Sequence, residues 1–254
     1  MNHYIVFVKK ELLEYARTYK LLVMTVVFVI FGITNPLIAK LTPELISSFV
    51  PEGMTITIPE PSALDAWAQF FKNSQQVGLI VLVLVFSGVL SSEVAKGTLI
   101  NLLTKGLSRQ AVILAKYSAM ALVWSWSVVI SALLTWVYTV YLFPVDPLSN
   151  LVFSIFCLWL FGGFLLAVLL LGATLVRSNY GSLLVTGAGV LILTVLNVIP
   201  QAGKYNPTAL VTKSMDLVAG TIGLPPLYAS LGITAAATLA LIGLAVLVFS
   251  KKQL

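Results

Sequence analysis

The chain has 254 residues, of which 59% are hydrophobic and 9% charged, with a mean hydropathy of +1.02 and a formal net charge of +6. Soluble domains carry roughly a quarter charged residues, so this composition excludes a soluble globular protein and assigns the chain to a bilayer. One cysteine, Cys157, and one histidine, His3, leave no intramolecular disulfide and argue against a His/Cys metal site, so no metal is expected.

In the first 20 residues Tyr4, Val8, Leu12, Tyr15 and Tyr19 recur at spacings of three or four, with Lys10, Glu14 and Arg17 on the opposite face. That pattern predicts an amphipathic helix lying in the membrane interface. The charges ahead of the first apolar run argue against a cleaved signal peptide.

A spanning helix needs about 20 apolar residues, and six runs reach that length, near 21–41, 76–92, 112–143, 151–176, 182–201 and 227–249. The charges fall in short clusters between them, so residues 1–254 read as one transmembrane domain: an all-α integral membrane fold with six transmembrane helices. Between the first two runs, Pro43, Pro51, Pro59 and Pro61 interrupt regular structure. A short helix is then expected, with Ser62 as its cap, Asp65 in its first turn, and Trp67, Phe70 and Phe71 as a stripe at the outer interface. Between the last two runs, Tyr205, Asn206 and Pro207 predict a turn, and residues 208–222 a half-membrane or interfacial helix too short to cross.

The basic residues set the orientation. With the N-terminus in the cytosol, 11 of the 15 Lys and Arg fall inside, giving net charges of +8 on the inner side and −2 on the outer side. Both termini are therefore expected in the cytosol, with the chain multi-pass in the cell membrane. The basic balance is a topology signal, and no nucleic-acid partner is implied.

None of the six runs carries an acid, base or histidine near its midplane, which argues against an active site inside the membrane. Most intramembrane hydroxyls, such as Ser125, Ser127, Ser131 and Thr135, are expected to bond back to their own helix. Asn35 with Pro36, and Asn197 with Pro200, stand apart. A proline frees a carbonyl and a neighbouring amide can satisfy it or mark a lined cavity, so these pairs are candidates for an outward gate or pathway, with helix packing as the other reading. Gly162, Gly163, Gly172, Gly181, Gly187 and Gly189 suggest close helix contacts.

The loop after the second run contains Glu93, then Gly97, Thr98 and Leu99, then Leu102 and Leu103, then Ser108 and Arg109, and later Lys116. It predicts a short helix capped by Thr98, with an apolar patch of Leu99, Leu102 and Leu103. A patch facing the cytosol suits a protein partner with a groove, or lies on the membrane interface. These residues resemble the signature of the permease subunits of type-2 ABC transporters: a Glu, three residues, GTL, two residues, LL, then SR and a later Lys. The amphipathic first helix, the six spans, the two cytosolic ends and an Asn-Pro pair between the fifth and sixth spans agree with that family. Ser91 and Ser92, Asn101, and Lys105 with Gly106 depart from its usual residues.

The resemblance implies that this loop is a cytosolic coupling helix that docks on a separate ABC ATPase subunit. Two ATPase copies would bind ATP and Mg, and would act on two permease copies, most simply a homodimer. The chain itself lacks a G-x-x-x-x-G-K-[ST] phosphate loop, so it is expected not to be an enzyme and to hold no cofactor. At the loop's entrance Glu93 would pair with a basic group of the partner or of the N-terminal helix, in a surface salt bridge worth about 0–1 kcal/mol. The expected function is ATP-driven export of a hydrophobic or amphipathic cargo: a peptide, bacteriocin or antimicrobial compound. The alternative is a non-transporting membrane scaffold or immunity protein that binds a hydrophobic compound.

Overall fold

Among the described residues six helices are long and apolar enough to cross a membrane: Lys20–Leu45, Ala63–Phe86, Arg109–Leu142, Leu151–Leu175, Asn179–Leu196 and Pro225–Lys251. They come from a computed structural model that describes residues 3–48, 60–91, 93, 108–144, 148–176, 178–199 and 203–251, and no strand occurs among these residues. Apolar burial drives little association between helices in lipid, so close backbone approaches and hydrogen bonds decide which helices pair.

Helix α1 (His3–Arg17) ends at Tyr19, whose φ of 60° lies in the left-handed region and turns the chain into α2 (Lys20–Ser48). Its buried face runs through Phe7, Glu11 and Tyr15, while Tyr19 is exposed and Tyr4, Val8 and Leu12 are half-buried. The inward face is thus offset from the expected aromatic stripe, because Glu11 has charged partners inside the bundle.

Helix α2 passes through both Pro36 and Pro43 without ending, although Pro43 was expected to interrupt regular structure. A proline forfeits the bond to the carbonyl four residues back, and for Pro36 that is Gly32. Its oxygen instead faces the hydroxyl of Thr135, which donates at 3.5 Å from α5 (Arg109–Leu142). A Cβ on Gly32 would meet the Leu134 Cβ at 2.6 Å, so this glycine lets α2 and α5 approach closely.

The second crossing is built from α3 (Ala63–Asn73), a π-helical turn (Ser74–Gly78) and α4 (Leu79–Phe86). Ser62 is the expected N-cap, and with Asp65 in the first turn it forms a capping box. Trp67, Phe70 and Phe71 are buried in the bundle rather than at an interface, packed edge to face with centroids 5.2 and 5.1 Å apart along the series. What was expected as a separate interfacial helix is therefore the first half of the crossing, because its stripe packs against α2 and α5. Asn73 closes the contact by donating to the Asn35 side-chain oxygen at 2.6 Å.

Helix α6 (Leu151–Leu175) is the most enclosed crossing and sits between α5, α7 (Asn179–Leu196) and α10 (Pro225–Lys251). Its Gly162 lies under the Trp124 ring, where a Cβ would come within 2.3 Å of the indole. The Trp124 N–H donates to the Trp159 carbonyl at 2.9 Å, which fixes the ring there. The segment before α10 is two short helices, α8 (Ala209–Thr212) and α9 (Ser214–Val218), rather than one. Leu210 and Leu217 are buried with Cys157 and Leu227.

Candidate functional site

At one end of the bundle, α1, the residue Glu93, the start of α5 and the end of α10 come together. Residues 94–107 lie outside the described residues, and with them Gly97, Thr98, Leu99, Leu102 and Leu103. The flanking Glu93, Ser108 and Arg109 are described, and the attachments at the two ends of that segment can be followed.

Glu93 is only 4% exposed, Glu11 1% and Lys116 0%. The Lys116 ammonium contacts both oxygens of Glu11, at 2.9 and 3.0 Å, and Glu93 Oε2 at 2.7 Å. Lys10 bridges Glu11 at 3.0 Å, Glu14 at 2.7 Å and Glu93. Two ammonium groups thus answer three carboxylates, and the Phe7 ring lies 5.1 Å from Lys10 and 5.9 Å from Lys116. The carboxylate oxygens lie within 4.8 Å of one another, a spacing open to a cation, and the two lysines supply that charge. The surface salt bridge expected for Glu93 is instead a buried one, because α1 and α5 close over it.

Burial alone would raise the Glu93 pKa, but Lys116 and Lys10 outweigh it and hold the carboxyl below the ordinary range. Burial pulls Lys10 down, and its bonds to Glu14 and Glu93 with the charge of Glu11 carry it above its ordinary value. Tyr15 is pushed well up by burial and then by Glu11. Glu93 and Lys10 therefore stay charged, and Tyr15 neutral, around neutral pH.

Two further attachments hold this end. Ser108 caps α5 by accepting from the Ala111 N–H at 3.2 Å, and Arg109 donates to the carbonyls of Phe249 and Ser250, both at 3.1 Å, at the C-terminal end of α10. A cation is favourable there because the carbonyl end of a helix carries partial negative charge. Where the second crossing ends, Ser91 donates to the Asn179 side-chain oxygen, and Ser182 donates to the Ser87 carbonyl at 2.8 Å.

A cavity of about 650 Å³ opens between α4 and α7, floored by Phe161 and Leu165 of α6. Much of its wall is apolar, with Leu79, Val83, Leu183 and Val190. Polar side chains collect at one end, among them Gln75, Gln76, Thr194, Asn197 and Thr208. Asn197 donates to the Thr208 hydroxyl at 2.7 Å and Gln75 to the Val211 carbonyl at 2.7 Å, so the polar end is braced against α8.

Of the pathway candidates, Asn197 lines this cavity, whereas Asn35 and Pro36 belong to the contact between α2 and α3, and Pro200 lies outside the described residues. Sequence reasoning placed Glu93 but missed Glu11 and Asn179. Glu11 carried a signal, an acid one helical turn from both Phe7 and Tyr15. Asn179 carried none.

The arrangement ties the flanks of residues 94–107 to α1, α5, α7 and α10, and a cavity lies open between α4 and α7. Comparison with known proteins agrees with a transport role. The description "ABC-2 family transporter protein" matches residues 5–254, nearly the whole chain. The chain belongs to the ABC-2 transporter family. It is also similar to the uncharacterized transmembrane protein YxlG of Bacillus subtilis, with 23% identity over 205 residues, 78% of each chain. As an ABC-2 permease the protein is a multi-pass transmembrane component of a transporter, in a family that is generally not catalytic itself and that implies an ABC ATPase partner.

Proposed function

We propose that this ABC-2 permease works as a homodimer with two copies of a separate ABC ATPase, and exports an amphipathic or hydrophobic cargo from the cell by alternating access. The ATPase binds ATP and Mg, and docks on the segment 97–103 through Leu99, Leu102 and Leu103. Glu93 and Arg109 flank that segment and carry its motion into the bundle.

The observation that supports the mechanical part is the position of Glu93. It is tied to α1 through Lys10 and to α5 through Lys116, so a push on the loop moves both helices together. At the other end of the loop, Arg109 ties the motion to α10. The cluster sits at the basic end of the bundle, which supports a cytosolic side for that end and for both termini.

The cargo path is the cavity between α4 and α7. Among the described residues its wall carries no charged side chain, so an ion would lose hydration without compensation while an apolar chain would not. The amides and hydroxyls at its outer end match a neutral polar head. An amphipathic peptide or antimicrobial compound combines the two, and Asn197 at the polar end is the gate.

Reconstitution with the partner ATPase tests this reading. ATP hydrolysis in proteoliposomes is expected to rise with amphipathic peptides and to stay at its basal rate with small inorganic ions. A panel of amphipathic peptides that leaves hydrolysis unchanged would sink the cargo assignment.

A further inference from the structure

The two walls of the cavity behave differently where they are attached. α4 runs directly into the turn at Ser87–Ser91, two residues before Glu93. α7 packs on α6 where Gly172 lets Val185 approach, with only Ser182 and Thr186 of its residues buried, and its far end is held where Asn197 donates to the Thr208 hydroxyl at 2.7 Å and Asn206 donates to the Leu193 carbonyl at 2.6 Å. Its first turn nevertheless meets the end of the second crossing at three points. Ser91, 3% exposed, donates its hydroxyl hydrogen to the Asn179 side-chain oxygen. Ser182 donates to the Ser87 carbonyl at 2.8 Å. Gly88 lies against the Asn179 amide, so that a Cβ there would come within 2.8 Å of its nitrogen.

We propose that Asn179, with Ser91 and Gly88, is a positioning latch that makes the start of α7 follow the segment entering the coupling loop and thereby sets the width of the cavity. This rests on the transport reading above. The physical logic is leverage. Helix α7 lines the cavity through Leu183, Thr186, Gly187, Val190, Leu191 and Thr194, all beyond the latch. Asn197 at the polar mouth braces the far end on Thr208, so a rigid helix drawn at its first residues pivots about that end and moves its start relative to α4. The ion cluster couples the loop to α1 and α5, and the latch is the separate link to the movable cavity wall. Gly88 fits this role because a larger residue would displace the amide from Ser91.

Spin labels on Ile80→Cys in α4 and Leu184→Cys in α7, both exposed positions, report the cavity width, and the native Cys157 is buried. In the wild-type permease in lipid nanodiscs the label distance should be narrowly distributed. In complex with the ATPase it should shift on trapping with ATP and vanadate. Asn179→Leu removes the acceptor and should broaden the distribution and abolish the shift, with ATP hydrolysis retained. Asn179→Asp keeps the acceptor and should restore both. Gly88→Ala, which leaves Asn179 intact, should act like Asn179→Leu. Narrow, nucleotide-responsive distances in both Asn179→Leu and Gly88→Ala would overturn the latch. If the wild-type distance ignores nucleotide while Asn179→Leu still broadens it, the latch stands as a positioning contact and the transport reading fails.

Discussion

Glu93 and Lys116 form a 2.7 Å ion pair in which both side chains are almost wholly withdrawn from solvent, and Lys116 is shared with Glu11 of the first helix. A buried pair of this kind gains little over apolar residues of the same volume, because desolvation offsets the attraction. Its effect is on geometry: three segments far apart in sequence are held in one arrangement, and removing one member strands the charges of the others.

Lys116→Met should therefore be among the most damaging single changes at this end of the bundle. It leaves Glu11 and Glu93 with only the half-exposed Lys10, and the loss is expected at about 3–5 kcal/mol. Glu93→Gln, which leaves Lys116 paired with Glu11, should cost less. Thermal unfolding in detergent, followed by tryptophan fluorescence, ranks the two, and a Lys116→Met protein that melts with the wild type would contradict the cluster.

The pH dependence follows from the signs of the shifts. Glu93 lies below its ordinary value of 4.5, so its contribution is complete above that pH and is lost as the pH falls through the lowered folded value. Lys10 lies above 10.5, so its contribution is complete below that pH and is lost as the pH rises through the raised folded value. Stability should be level between about pH 5 and 10 as far as these groups control it. Glu93→Gln should flatten the acid decline. Melting curves across pH on the two proteins check this, and identical acid limbs would contradict it.

Gly162→Ala should destabilise by about 1–3 kcal/mol, since the added methyl meets an indole that its hydrogen bond to Trp159 holds in place. Gly187→Ala, with open space at its Cβ, should be neutral or slightly stabilising, because it removes a helical glycine. The difference between the two melting temperatures is the measurement, and equal values would remove the packing argument.

Gly187 also lines the cavity, so Gly187→Trp should fill the proposed path without touching the ion cluster. Association with the ATPase and basal hydrolysis are expected to persist, while cargo-stimulated hydrolysis is lost. Stimulation at the wild-type level would show that cargo does not pass between α4 and α7.

Hydropathy made the six crossings legible, because about 20 apolar residues in a row have few other uses. It misplaced the second. Trp67, Phe70 and Phe71 have the composition of an interfacial belt, and only their packing against α2 and α5 makes them part of a crossing. The same limit applied to Glu93. Its motif marked it, but the surface or buried character of its ion pair depends on Lys10 and Lys116, which are 83 and 23 residues away in the sequence. Asn35 and Asn197 looked alike beside their prolines, yet one closes a helix contact with Asn73 and the other lines a cavity. Side chains that act through long-range partners carry no local pattern.

In the proposed mechanism a separate ATPase drives this bundle through the segment between Glu93 and Arg109. Co-purification of the ATPase with the permease, comparing wild type with Leu102→Glu and Leu103→Glu, tests this coupling. Either charge is expected to abolish the complex while the permease itself melts as before. An ATPase that still co-purifies with both variants would contradict it.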